Sequence, residues 1–207
     1  MTNKDNVVDQ YGWNDDRETD AHDYMAEPIL KIIASTQSKK ILDLGCGNGA
    51  LTRKYIHAGY DVTGCDADEQ GVKQAAKLGG NYLCYSVYDE PKDFPESNYD
   101  FVVSAEVVEH LFKPTSLPYF ANAVLKDGGY FLITTPYHGY IKNLVLSIFN
   151  KWDGHLDPFW DGGHIKFWSK KNLTKLLEDA GFKFISFHGV GRFPFLWKSM
   201  MILAQKK

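Results

Sequence analysis

Short apolar runs alternate along this chain with stretches whose apolar positions recur at helical spacing. That alternation predicts an α/β fold with a mainly parallel sheet and helices on both faces. Lys40–Leu44, Asp61–Cys65, Asn81–Val87, Tyr99–Ser104 and Gly129–Thr135 read as strands, with helices expected near residues 49–58, 68–78 and 115–125. A last helix follows Ser169 as N-cap. In it Leu173, Leu176, Leu177 and Ala180 fall at i, i+3, i+4 and i+7, and Gly181 supplies the stop. The closing runs Phe182–Val190 and Trp197–Ala204 are joined by a Gly/Arg/Pro turn with no room for a helix, so they are expected to form an antiparallel hairpin. An early helix is expected to bury Met25, Ile29 and Ile32, behind a polar segment holding Tyr11, Trp13 and His22. No repeat or linker interrupts the chain. Residues 1–207 therefore read as a single domain, with a capping segment and helix over 1–38 and an insert over 137–168.

Composition narrows the class rather than the function. The chain has 207 residues, 44% hydrophobic and 24% charged, which is ordinary globular usage. A net charge of −3 gives no global field toward nucleic acid or anionic membrane, and no Lys/Arg cluster supplies a local one. The start is polar and acidic, unlike a signal peptide, and no apolar run reaches the ~20 residues of a membrane span. Cys46, Cys65 and Cys84 are an odd number without a C-x-x-C pair, which argues against disulfide or zinc frameworks and favours the reducing cytoplasm. Aromatic residues make up 14% of the chain, and their placement matters below.

The stretch Ile41–Ala50 carries the strongest chemical signal. A buried strand runs into Gly45, Gly47 and Gly49 and then a helix, so bare backbone at a helix N-terminus can meet a nucleotide-like ligand. Gly45-x-Gly47-x-x-Ala50 also fits the dinucleotide fingerprint, and a tight strand–helix turn needs glycines without any ligand. Asp66 closes the second strand, 21 residues beyond Gly45, where a carboxylate can accept from both ribose hydroxyls; a solvated loop aspartate is the plainer reading. Asp43 distinguishes the cofactors. It stands inside the first strand, where a nicotinamide-binding strand usually keeps an apolar residue, and a carboxylate there can face a cationic amino group.

Leu42–Gly49 reads L-D-L-G-C-G-x-G, which resembles the first motif of the class I S-adenosylmethionine-dependent methyltransferases. Asn98–Ser104 matches that family's fourth strand. Lys126–Pro136 matches its fifth, with Asp127 where the family usually has proline. The resemblance spans about residues 25–205 and implies a Rossmann-like seven-stranded sheet ending in an antiparallel hairpin. It also implies S-adenosylmethionine as cofactor. Asp43, Gly45, Cys46, Gly47, Asn48 and Gly49 would lie along its amino-acid part, Asp66 and Ala67 at the ribose, Val87 and Tyr88 at the adenine, with Ser104 and Ala105 completing the site. Such an enzyme aligns a nucleophile with an electrophilic methyl group and removes a proton where the acceptor is a hydroxyl.

A helical turn after the fourth strand would place Glu106, Glu109 and His110 on one face, at i, i+3 and i+4. This resembles the E-x-x-E-H of two metal-dependent branches, the small-RNA 3′-terminal 2′-O-methyltransferases and the ubiquinone-pathway O-methyltransferases. Those need a further ligand, for which His138 and His164 are candidates. Relatives with the same residues and no metal use them to order the pocket. A divalent metal, His110 as general base and a purely structural role therefore all stand, with His110, His164, His138 and Glu106 the catalytic candidates.

The insert Tyr137–Trp168 has 8 aromatics in 32 residues, and Ile141, Leu144, Val145, Ile148 and Phe149 make one helical apolar face. Such a face ordinarily packs on the sheet; a substrate lid or a peripheral membrane contact are its other uses. The expected function is methyl transfer to an oxygen of a small, aromatic or partly apolar acceptor. A metal-assisted RNA 2′-O-methyltransferase, a non-catalytic cofactor-binding partner subunit and a nicotinamide dehydrogenase are the competing readings, and nucleic acid is disfavoured by charge.

Overall fold

A computed structural model describes residues 20–207 apart from residue 161; the expectations for Tyr11 and Trp13 lie outside the described residues. In chain order the elements are α1 (Asp20–Ser35), β1 (Lys40–Leu44), α2 (Ala50–His57), β2 (Asp61–Asp66), α3 (Glu69–Lys77), β3 (Asn81–Cys84), β4 (Tyr99–Ser104), α4 (Ser116–Val124), β5 (Leu125–Pro136), α5 (Tyr140–Ile148), α6 (Trp152–Leu156), α7 (Lys170–Asp179), β6 (Phe182–Val190) and β7 (Ser199–Lys206). The sheet order is β3-β2-β1-β4-β5-β7-β6. Strands β1 to β5 pair in parallel, while β7 runs antiparallel to both β5 and β6. The Rossmann-like sheet and its closing hairpin are thus as the sequence implies.

Strand periodicity divides the core into two layers. Leu42, Leu44 and Val102 point to one face, packing with Phe131, Ile133 and the α7 residues Leu173 and Leu177. Ile41, Phe101 and Val103 point to the other, under Met25, Ile29 and Ile33 of α1 and Tyr55 of α2. Central parallel strands buried on both faces explain their near-continuous apolar sequences. Connections leave β1 and β4 in opposite directions, which opens a crevice at their C-terminal ends.

Three expectations change. Strand β3 stops at Cys84 because Ser86 O accepts from Asp89 N (3.0 Å), so Val87 and Tyr88 lie in a turn. Strand β7 starts at Ser199, leaving Trp197 in the turn before it. The third concerns α5, whose apolar face does not pack on the sheet. Ile141, Leu144, Val145, Ile148 and Phe149 are exposed, and Lys142 is the buried residue of this helix. Lys142 Nζ donates to Lys198 O (3.2 Å), and that bond seats the helix with its polar residue inward.

Core and insert therefore differ in sensitivity. Ile133→Ala, at a fully buried position, should lower unfolding free energy by about 2–5 kcal/mol, whereas Ile148→Ala on α5 should change it by about 0.5 kcal/mol or less. Urea denaturation of the two variants checks this.

Candidate active site

Backbone geometry at the end of β1 requires glycine. Gly45 has φ +86°, and a Cβ there would meet Val107 Cγ2 at 2.3 Å. Gly49, at φ +76°, opens α2 without a side-chain cap. Between them the Gly47 amide donates to Asp66 Oδ2 (2.7 Å), while the Asp68 amide donates to Asp66 Oδ1 (2.8 Å). The carboxylate at the end of β2 is thus fixed by two N–H groups, one from each neighbouring loop. Burial still pushes its pKa up to about 6, against those donors. Asp43 is buried in β1 and accepts from Thr52 Oγ1 of α2 (2.6 Å); burial raises it to about 7.

A cavity of about 990 Å³ opens in the crevice. Asp43, Gly45, Cys46, Asp66, Ala67, Val87, Tyr88 and Ala105 line it, together with Glu106, His110 and His164. Gly47, Asn48, Gly49 and Ser104 stand behind this lining: Gly47 acts through its amide, Asn48 accepts from Ala50 N (3.2 Å), and Ser104 is buried. Tyr88 reaches across the opening, its hydroxyl accepting from Phe112 N (3.1 Å). Leu156, Pro158, Trp160, Ile165 and Phe167 of the insert supply a second, largely apolar part of the wall.

Residues after β4 form a turn rather than a helix. Glu106 has φ +56°, a left-handed conformation uncommon for a non-glycine residue, and it breaks the i, i+3 register that would join it to Glu109. Its amide donates to Thr134 Oγ1 (3.0 Å), and its carboxylate accepts from Thr134 Oγ1 (2.7 Å) and Ser199 Oγ (3.0 Å). Glu106 is held toward β5 and β7 in this way, and burial pushes it to about 7. Glu109 instead meets the histidines. Glu109, His110 and His164 place one donor atom each within 4.8 Å of one another, an arrangement able to hold a metal ion. Glu109 Oε2 accepts from Thr135 Oγ1 (3.0 Å), and Oε1 lies 4.0 Å from His164 Nε2. Burial and the adjacent Glu106 push the Glu109 carboxyl well up. The Glu109 carbonyl accepts from Ile165 N and Lys166 N (both 3.0 Å), tying the His164 segment to the turn.

His110 Nδ1 lies 2.7 Å from Gly162 O. A carbonyl can only accept, so Nδ1 carries the proton and Nε2 the lone pair. Burial lowers the His110 pKa and takes His164 down to about 4. His138 stands apart from this group, packed against Trp152, His155 and Phe167. Thr52, Thr134, Ser199 and Lys142 also belong to the site, although no sequence motif marks them. The tandem Thr134-Thr135 at a strand end was the one available signal for the hydroxyls that hold the glutamates. A single Lys on an apolar helix was the signal for Lys142.

The raised Asp43 has a measurable consequence. Its carboxyl stays protonated in the folded state up to about pH 7 but ionises near its ordinary 3.8 when unfolded. The folded state therefore holds the extra proton, and Asp43's contribution to stability falls as pH rises from about 4 to 7. The lowered imidazoles act in the opposite sense, so the difference between variants is the clean readout. Asp43→Asn should gain thermal stability relative to the unmodified chain as pH rises through that window, and melting curves from pH 4 to 8 check it.

The chain has relatives of known description. A family model described as "Methyltransferase domain" matches residues 17–186. The ubiquinone biosynthesis O-methyltransferase of Hydrogenovibrio crunogenus is 32% identical over 161 residues, covering 74% of this chain and 66% of that protein. The protein of the same description from Ruegeria sp. is 30% identical, covering 82% and 70%. The chain spans between 47% and 72% of the length of such curated relatives. Among solved structures, a putative methyltransferase from Bacillus halodurans superposes with TM-score 0.68 at 18% identity, covering 87% of this chain and 98% of that one. Magnesium protoporphyrin IX methyltransferase from Synechocystis, with bound SAH, superposes with TM-score 0.64 at 18% identity, covering 88% and 82%. Sequence and fold agree: this chain belongs to the methyltransferase domain family.

Proposed function

We propose that this protein is an S-adenosylmethionine-dependent methyltransferase that methylates an oxygen of a small, aromatic or partly apolar acceptor. The observation carrying this reading is one cavity lined both by the glycine loop with the buried Asp43 and half-buried Asp66 and by an imidazole set against an aromatic wall. The curated relatives, named O-methyltransferases, support oxygen as the target.

The residues fit the cofactor. Asp66 is fixed by backbone donors, so its remaining lone pairs are oriented to accept from ribose hydroxyls. Asp43, costly to ionise while buried, would be relieved by the cationic amino group of the methionine part. Gly45 lets the ligand lie against backbone that any side chain would obstruct. Val87 and Tyr88 in the turn after β3 would flank the adenine. Bound there, S-adenosylmethionine supplies an electrophilic methyl group.

The chain's own part is positioning and proton removal. Trp160, Phe167 and Leu156 exclude water and orient an apolar acceptor. His110 faces the cavity uncharged at neutral pH, with the lone pair on Nε2, and accepts the hydroxyl proton as oxygen attacks. His164 and Glu109 hold the imidazole's surroundings, and the reaction as proposed requires no metal.

Methyl transfer from labelled S-adenosylmethionine to a panel of apolar catechols and phenols tests this. Label should appear on oxygen; label on ring carbon, or no transfer to any member, would overturn it. His110→Ala should lower kcat by about 10²-fold or more while leaving S-adenosylhomocysteine affinity intact. For the unmodified enzyme, kcat/KM should rise with pH through a pKa below the usual histidine value of 6.5 and then stay level.

A further inference from the structure

Helix α5 carries a single cation, Lys142, and the fold buries it to 8% exposure. A buried ammonium is costly unless a carboxylate pairs with it, and among the described residues none lies within ion-pair distance. One Nζ proton goes to Lys198 O (3.2 Å), a carbonyl that also accepts from Tyr137 N (3.0 Å), and two protons are left over. Glu106 is the one carboxyl that acts on Lys142, and its two oxygens already accept from Thr134 and Ser199.

The other groups that face Lys142 have the same sign of charge or gain it on protonation. Arg192 of the β6–β7 turn repels it, and this adds to burial in bringing the Lys142 pKa down to about 8. His138, just before α5, and His155 of α6 both feel the lysine's charge, and His155 feels Arg192 as well. Their rings meet at 5.2 Å, and His155 Nε2 is buried with no hydrogen-bond partner. Asp153 and Asp157, the acids of the α6 segment, are exposed, and neither bears on the charge of Lys142 or His155. Like charges gathered at one buried point, with spare donors and no counter-charge, make a site for an anion.

Aromatic rings shape this site and join it to the cavity. The Trp152 ring lies parallel to His138 at 6.5 Å, and Phe167 meets His138 edge-on at 5.1 Å. Phe167 lines the cavity, as does Leu156, the neighbour of His155 in the chain. His164 lines it too and feels the charge of both His155 and Lys142. The cationic cluster thus stands directly behind the acceptor wall.

We propose that Lys142, Arg192 and His155 form a carboxylate-binding subsite for the methyl acceptor, an aromatic acid whose hydroxyl meets His110 while its carboxylate meets the cluster. A carboxylate has the lone pairs to accept from the spare Lys142 protons, the Arg192 fork and His155 Nε2. The subsite rests on the small-acceptor reading above and narrows it to anionic acceptors.

Calorimetric titration of the chain, saturated with S-adenosylhomocysteine, tests the subsite without turnover; the probes are benzoate and its neutral isostere benzamide. Benzoate should bind at least about tenfold more tightly, and Arg192→Gln and Lys142→Met should each remove most of that preference while S-adenosylhomocysteine affinity stays unchanged. Lys142→Met also loses the bond that seats α5, so the exposed Arg192 carries the decision. Equal affinity for the two probes, or a benzoate preference that Arg192→Gln leaves intact, would overturn the proposal. So would inorganic phosphate displacing benzoate at equal concentration, since a free anion would then be the ligand. With labelled S-adenosylmethionine, hydroxybenzoates and hydroxycinnamates should be methylated with kcat/KM at least about tenfold above that of their amides, mainly through KM. Equal transfer to acids and amides overturns the subsite. Transfer to neither overturns the acceptor reading instead, with benzoate binding still deciding the subsite.

Discussion

The hydrogen bond from the Gly47 amide to the Asp66 carboxylate joins the two loops on which the site is built. It can form only because the chain after β1 turns through left-handed glycines, and because β2 lies beside β1 in parallel register. Its effect is to hold a carboxylate at the end of β2, against the cost of burial, one strand away from the β1/β4 point where the sheet reverses its order. Asp43, one strand over, is held by Thr52 in the same way. The ligand-free site thus keeps two carboxyls at pKa values well above normal; a cationic amino group would bring Asp43 down, and hydroxyl donors Asp66.

A second buried network lies across the cavity. Glu106 is locked to Thr134 and Ser199, and Ser199 to Tyr24 of α1, so the capping helix, β5 and β7 all meet at one strained residue. Glu109 is locked to Thr135 and strapped by its carbonyl to the His164 segment. Fixed glutamates of this kind set where the imidazoles stand, and immobile groups cost little reorganisation when charge develops. The apolar insert then closes over groups that are already in place.

Elements governed by local rules are legible in the sequence. Strand β1, the glycine loop and Asp66 are legible because a tight turn, a close backbone approach and a fixed βαβ length each leave their own mark. Helix α7 declares itself through Ser169, its leucine spacing and Gly181. The site beyond the cofactor is less legible. Glu106, Glu109 and His110 suggest one helical face, but a hydroxyl 28 residues away holds Glu106 left-handed and breaks that face. Helix α5 has a core-like stripe, yet one buried lysine bond to Lys198 O, in the turn before β7, reverses its orientation. Both outcomes are tertiary, decided by partners distant in sequence, and no window of the sequence contains them.

The central claim is that the Gly47–Asp66 junction creates the nucleoside site. Calorimetric titration of S-adenosylhomocysteine into the unmodified chain and into Asp66→Ala tests it most directly. Micromolar binding to the first, and affinity at least about a hundredfold weaker for a folded Asp66→Ala, is the predicted result. No heat at millimolar ligand, or equal affinity for both, would contradict it.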